Sequence, residues 1–128
     1  MGNYLIFYVK TKDYERPIEL VSFGRSTEVF QYFIDHTKIS SEYTKLDLST
    51  LKDIQSKLYT DIYRNRARLD TYDKYAHMNT ELVEGVIGIK EYLGQLTKAK
   101  FYLDFLTLMV EEANASYSKT SEIGYALI

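Results

Sequence analysis

The sequence predicts an α+β fold: a small antiparallel β-sheet of two to three strands with one short helix, packed on a long antiparallel helical hairpin. Three observations predict it. Apolar residues alternate with period two near the N-terminus. From Ser49 onward they recur in steps of three and four, in two successive long segments. The chain also has a single proline, Pro17, so nothing interrupts long helices further on. A length of 128 residues suits one domain spanning 1–128. Within it, 1–48 reads as a β-hairpin, a short helix and a third strand, 49–115 as the helical hairpin, and 116–128 as a tail.

Tyr4 to Lys10 reads as the first strand. Leu5, Phe7 and Val9 share one face, and Tyr4, Ile6 and Tyr8 share the other. With both faces apolar, the strand is expected to be central or covered on both sides. Thr11 to Pro17 is polar and turn-like, and Ile18 to Phe23 resumes strand character, which together give a hairpin. Gly24 ends it. Ser26 or Thr27 can cap a helix, and Glu28 sits where the helix dipole favours an acid. Val29, Phe30, Phe33 and Ile34 then recur at helical spacing through His36. Tyr43 to Leu48 reads as a short third strand.

Ser49 is the expected N-cap of the first long helix. Leu51, Leu58, Ile62, Leu69, Tyr72 and Ala76 form its stripe once Gln55 and Asn65 are admitted, which carries it to about His77. Asn65 in that stripe is either a buried amide that fixes register or an exposed residue beside a slightly rotated stripe. Asn79 suits a left-handed helix end, and Thr80 can cap the next helix. That helix runs in phase through Leu82, Val86, Ile89, Leu93 and Leu96, then slips to Ala99, Leu103, Leu106, Val110 and Ala113. Gly85, Gly88 and Gly94 each cost about 1 kcal/mol in a helix. The β-branched content of Val83 to Leu93 would also suit a strand, but the periodicity favours helix. The apolar terminus, Ile123 to Ile128, can dock as a strand.

Composition narrows the function classes. With no cysteine there is no thiolate chemistry, disulfide or Cys-ligated zinc, which suits a reducing compartment; a cytoplasmic protein is expected. Met1 to Val9 lacks a basic stretch and a cleavage site, and Ile6 stands where a myristoylation signal wants Ser or Thr. No apolar run approaches a membrane span of about 20 residues, so no membrane association is expected. Net charge is −2, which gives no overall basic footprint. Its distribution is uneven: residues 49–79 carry 6 basic and 4 acidic groups, and residues 80–128 carry 4 and 7.

Four patterns could carry function. The turn Gly24, Arg25, Ser26, Thr27, between strand and helix, could hold an anion on backbone N–H groups and the Arg. It lacks the further glycines of a nucleotide-binding loop, and a plain capped helix start is the simpler explanation. Tyr59, Tyr63, Arg64 and Arg66 interleave rings with cations. That composition suits a protein interface, and nucleic acid is the alternative partner. Asp61, Asp70 and Asp73 dilute the field there, however, and helical spacing spreads the charges. His36 and His77 have no metal-ligand partners at helical spacing, so no metal and no cofactor are expected. Finally, Phe101 to Val110 is apolar at eight of ten positions. A helix apolar nearly all round needs cover on several sides, and a second copy of the chain is the simplest third cover.

No stretch matches a catalytic or family signature. The expectation is a non-enzymatic protein-binding accessory or inhibitor protein that acts through a Tyr-rich, mixed-charge surface of the hairpin. A nucleic-acid or nucleotide-binding regulator is the alternative.

Overall fold

The computed structural model describes residues 2–128; Met1, with which the reading of the N-terminus begins, lies outside the described residues. Strand β1 (Tyr4–Thr11) and strand β2 (Ile18–Gly24) form the expected hairpin, followed by helix α1 (Glu28–His36). Strand β3 (Thr44–Lys45) leads into the long helix α2 (Leu48–Tyr75). A single 3-10 turn (Ala76–Met78) separates α2 from α3 (Thr80–Ala113), and strand β4 (Thr120–Leu127) closes the chain.

The sheet has four antiparallel strands, not two or three, in the order β2-β1-β4-β3. β1 is central, as its apolar faces suggest. It pairs on one side with β2 (Leu5↔Phe23, Phe7↔Val21), with an irregularity between Phe7 and Tyr8. On the other side it pairs with the tail as β4 (Leu5↔Leu127, Phe7↔Tyr125). β3 adds only Thr44↔Tyr125 and Lys45↔Gly124 at the far edge of β4.

The inner face of the sheet carries Leu5, Phe7, Phe23, Ile123 and Tyr125, all buried. α1 lays Val29, Phe30 and Phe33 against it. Phe7 meets Phe33 edge-on at 5.1 Å and 74°, and Phe23 at 5.8 Å and 79°. Such pairs contribute about 0.5–1.5 kcal/mol each beyond the area they bury. On the outer face, the Tyr43 ring crosses Gly124. A Cβ on Gly124 would stand 2.1 Å from the ring's Cζ, so only glycine fits beneath it. The Tyr43 hydroxyl donates to Glu122 at 2.8 Å, and Lys10 lies over the ring.

α1 begins where expected: the Thr27 hydroxyl accepts from the Phe30 N–H, with Glu28 in the first turn. α2 begins two residues earlier than Ser49 suggests. Asp47 holds the N-cap position with extended backbone, and its carbonyl accepts the first helical bond, from Leu51 N–H at 3.1 Å. Leu46, buried just ahead and bonded to the Ile123 carbonyl, fixes that entry. Asn79 is extended (φ −159°), not left-handed. It is itself the cap of α3, its side chain accepting from Glu81 N–H at 2.7 Å.

Residues 83–93 are helical, inside an unbroken α3 of 34 residues, about 50 Å long. Leu51, Leu58 and Ile62 of α2 and Leu96, Ala99, Leu103, Leu106 and Val110 of α3 join the sheet and α1 in one core. Ile54, absent from the expected stripe, is fully buried in it. Asn65 is buried, but its amide donates to the Asp61 carbonyl at 2.8 Å on its own helix; it makes no hydrogen bond to α3 that would fix register. No helix of the described residues is long and apolar enough to cross a membrane.

Candidate functional site

Each residue along α2 turns the side chain by about 100°. Tyr59, Tyr63 and Arg66 therefore share one flank of the hairpin, with Gln55 a turn earlier. Lys57, Asp61, Arg64 and Arg68 share the other, which faces α1. Of the four residues singled out for partner binding, the structure brings together Tyr59, Tyr63 and Arg66 around a shallow depression that Ile62 and Lys100 complete. Arg64 belongs elsewhere.

The first flank is organised by an aspartate that the sequence reading overlooked. Asp104, on α3, accepts from the Tyr59 hydroxyl across the hairpin. It also accepts from Gln55 Nε2 at 2.9 Å and from Lys100 Nζ at 2.8 Å. The Lys100 ammonium in turn lies 5.4 Å from the Tyr59 ring centre. Partial burial opposes ionisation of Asp104, but the donors Lys100, Tyr59 and Gln55 outweigh it and hold its carboxyl below the usual range. Burial first, and then Asp104, push the Tyr59 hydroxyl up to about 12. Both groups therefore keep their resting protonation at neutral pH. The network positions a ring; it offers no group poised to exchange a proton near pH 7.

Tyr63 stands free beside this fixed ring, 76 % exposed, with Arg66 one turn beyond. Further along α3, Lys100 and Asp104 also border a depression lined by Thr97, Phe101, Phe105 and Leu108. Rings, the paired Lys100 and exposed apolar groups thus run without a break across the seam between α2 and α3.

Arg64 sits by the α1–α2 seam. There Asp61 accepts from Tyr32 Oη at 2.5 Å and from Lys57 Nζ at 3.1 Å. Partial burial would raise the Asp61 carboxyl, but those two bonds and the Lys57 and Arg64 charges lower it overall. Burial, followed by the Asp61 contact, pushes Tyr32 strongly upward. The cations of α2 are accordingly divided between opposite flanks and do not form one basic strip.

The groups of the Gly24–Thr27 turn already meet one another. Arg25 donates to the Gly2 carbonyl through Nε (3.0 Å) and Nη2 (2.6 Å), and its guanidinium faces the Phe30 ring. The Thr27 hydroxyl caps α1 and donates to the Gly24 carbonyl at 2.7 Å. Ser26 is exposed beside them. Glu28 supplies negative charge at the helix terminus, where an anion would compete with it. Among the described residues no group of three or more His, Asp or Glu is placed to hold a metal ion.

The Lys100–Asp104 pair was legible as an i, i+4 match. Its link to Tyr59 depended on the register of α2 against α3, which no local pattern reveals. Comparison of the chain with protein-family models, with curated proteins and with solved structures finds no match, so the reading of these residues rests on their own geometry.

Proposed function

We propose that this chain is a non-enzymatic protein-binding protein that masks or bridges a protein partner through the α2–α3 flank centred on Tyr63. The observation that carries the reading is the pairing of a held ring with a free one. Tyr59 is fixed by Asp104, while Tyr63 is 76 % exposed next to Arg66. A fixed aromatic surface loses little conformational entropy on binding, and Tyr and Arg are the residue types that most often dominate interface energetics. Arg66 and Lys100 at the rim favour a partner that presents a carboxylate beside an apolar contact. The absence of cysteine suits action in the reducing cytoplasm.

The test compares the two flanks. Arg66→Glu and Tyr63→Ala should each reduce capture of the same native partner by tenfold or more, an effect on the order of 1.4 kcal/mol. Arg64→Glu, on the other flank, should leave capture unchanged. Equal loss with Arg64→Glu, or no loss with Arg66→Glu and Tyr63→Ala, would refute this flank as the interface.

A further inference from the structure

The side of α3 turned away from the core bears an apolar ridge that its own chain leaves bare. Phe101 is 69 % exposed, Leu108 64 % and Phe105 38 %. Their spacing, i, i+4, i+7, puts them on one side of the helix, opposite the buried Leu103, Leu106 and Val110. Apart from Asp104, which is paired with Lys100 beside the middle of the ridge, the charges next to it are sorted along its length. Lys98 and Lys100 precede it, and Glu111 and Glu112 follow it. Among the described residues Lys98, Glu111 and Glu112 form no ion pair within the chain.

We propose that this ridge packs against the same ridge of a second copy of the chain, with the two α3 helices antiparallel and the two-fold axis close to Phe105. Antiparallel packing sets the basic end of each ridge against the acidic end of the other, whereas parallel packing would set like charges together. One register satisfies all the pairs at once. With the axis at Phe105, that ring meets its own copy, and each Phe101 meets the other copy's Leu108. Lys98 then faces the other copy's Glu112 beside the ridge, while Lys100 keeps its intrachain pair with Asp104. A turn of about 100° per residue keeps the members of each pair on the same side.

The patch is short, about four turns of helix, so the dimer is expected to be weak and its population to depend on concentration. It adjoins the Tyr63–Arg66 flank, and its test reads self-association rather than capture of a partner. The proposal therefore stands or falls separately from partner binding.

Sedimentation equilibrium of the full chain over a wide concentration range tests it. The weight-average mass should rise from 15.0 kDa toward twice that value. The variant carrying Phe101→Asp and Leu108→Asp should stay at 15.0 kDa with an unchanged far-ultraviolet dichroism spectrum. Lys98→Glu alone should weaken association about fivefold to tenfold. Adding Glu112→Lys to it should restore most of the affinity, because the reversed pair attracts again across the axis. A wild-type mass fixed at 15.0 kDa up to about 1 mM overturns the proposal. So does association that ignores the Phe101→Asp and Leu108→Asp changes. A Lys98→Glu defect that Glu112→Lys does not repair overturns the antiparallel register.

Discussion

α2 and α3 bury comparable stripes against one another, yet their solvent sides differ in kind. The outer side of α2 runs through Ser56, Thr60, Ala67 and Thr71, small or polar and exposed. The outer side of α3 runs through Val83, Ile87, Phe101, Phe105 and Leu108, large, apolar and also exposed. A helix in a two-helix hairpin needs a single apolar stripe. α2 has that and little more, its exposed rings lying on the flank or near the tip. α3 has a second stripe that the fold does not use. Composition along a helix therefore distinguishes the arm that completes the core from the arm that also faces something else.

Truncations should draw the sharpest line between the two sides of α3. Leu106 is fully buried, and Leu106→Ala should cost about 2–5 kcal/mol in urea denaturation. Phe101→Ala and Leu108→Ala, measured on dilute monomer, should cost less than about 0.5 kcal/mol. A large loss for Phe101→Ala would make the ridge part of the monomer's own support, and the contrast with α2 would disappear.

Glycines give the next largest effect, with opposite signs. Gly124 lies under the Tyr43 ring, so Gly124→Ala must displace that ring and should destabilise by about 1–3 kcal/mol. Gly88 and Gly94 have open space where a Cβ would go. Gly88→Ala and Gly94→Ala should each stabilise by about 0.5–1 kcal/mol, seen as a higher thermal midpoint. If either lowered the midpoint instead, the helix there would be packed more closely than its surroundings indicate.

The same contrast explains what could be read from the chain in advance. β1, β2, α1 and both long helices announce themselves because their signals are local: alternation, capping residues, and steps of three and four. Residues 83–93 are ambiguous in sequence because Gly85, Gly88 and the adjoining Gly94, with several β-branched side chains, weaken local helix preference; the burial of Val86 and Ile89 accompanies a helix there. The sheet was undercounted for a different reason. β4 pairs with β1 from the opposite end of the chain, and β3 exists only because β4 is there to receive it. Ile54 and Asn65 show the same limit on a smaller scale, since the rotation of the stripe is set by α3. At the candidate site, residue types pointed to Tyr59, Tyr63 and Arg66. Only the packed hairpin reveals that Arg64 lies on the other flank and that Asp104 holds Tyr59 in place.

The smallest effect concerns that Asp104–Tyr59 network, and it has a definite pH signature. The carboxyl of Asp104 is held below its ordinary value of 3.8, so its contribution is present above that pH and is lost as pH falls through the folded value. The Tyr59 hydroxyl is raised from 10.0 to about 12, so its contribution persists up to pH 10 and is lost as pH rises toward 12. Asp104 is 37 % exposed, which screens the interaction and keeps the whole effect under about 1 kcal/mol. The stability difference between the native chain and Tyr59→Phe should therefore be nearly flat from pH 5 to 10 and shrink above it. Asp104→Asn should remove part of the loss below pH 4. The other flank has its own raised tyrosine and lowered aspartate, Tyr32 and Asp61, so total stability alone cannot isolate the pair. Tyrosinate absorbance does isolate it: Tyr59→Phe should delete one late-titrating ring, and Asp104→Asn should move that ring back toward 10. Unchanged late titration in both variants would mean that Tyr59 is not held by Asp104, and the fixed ring beside Tyr63 would lose its basis.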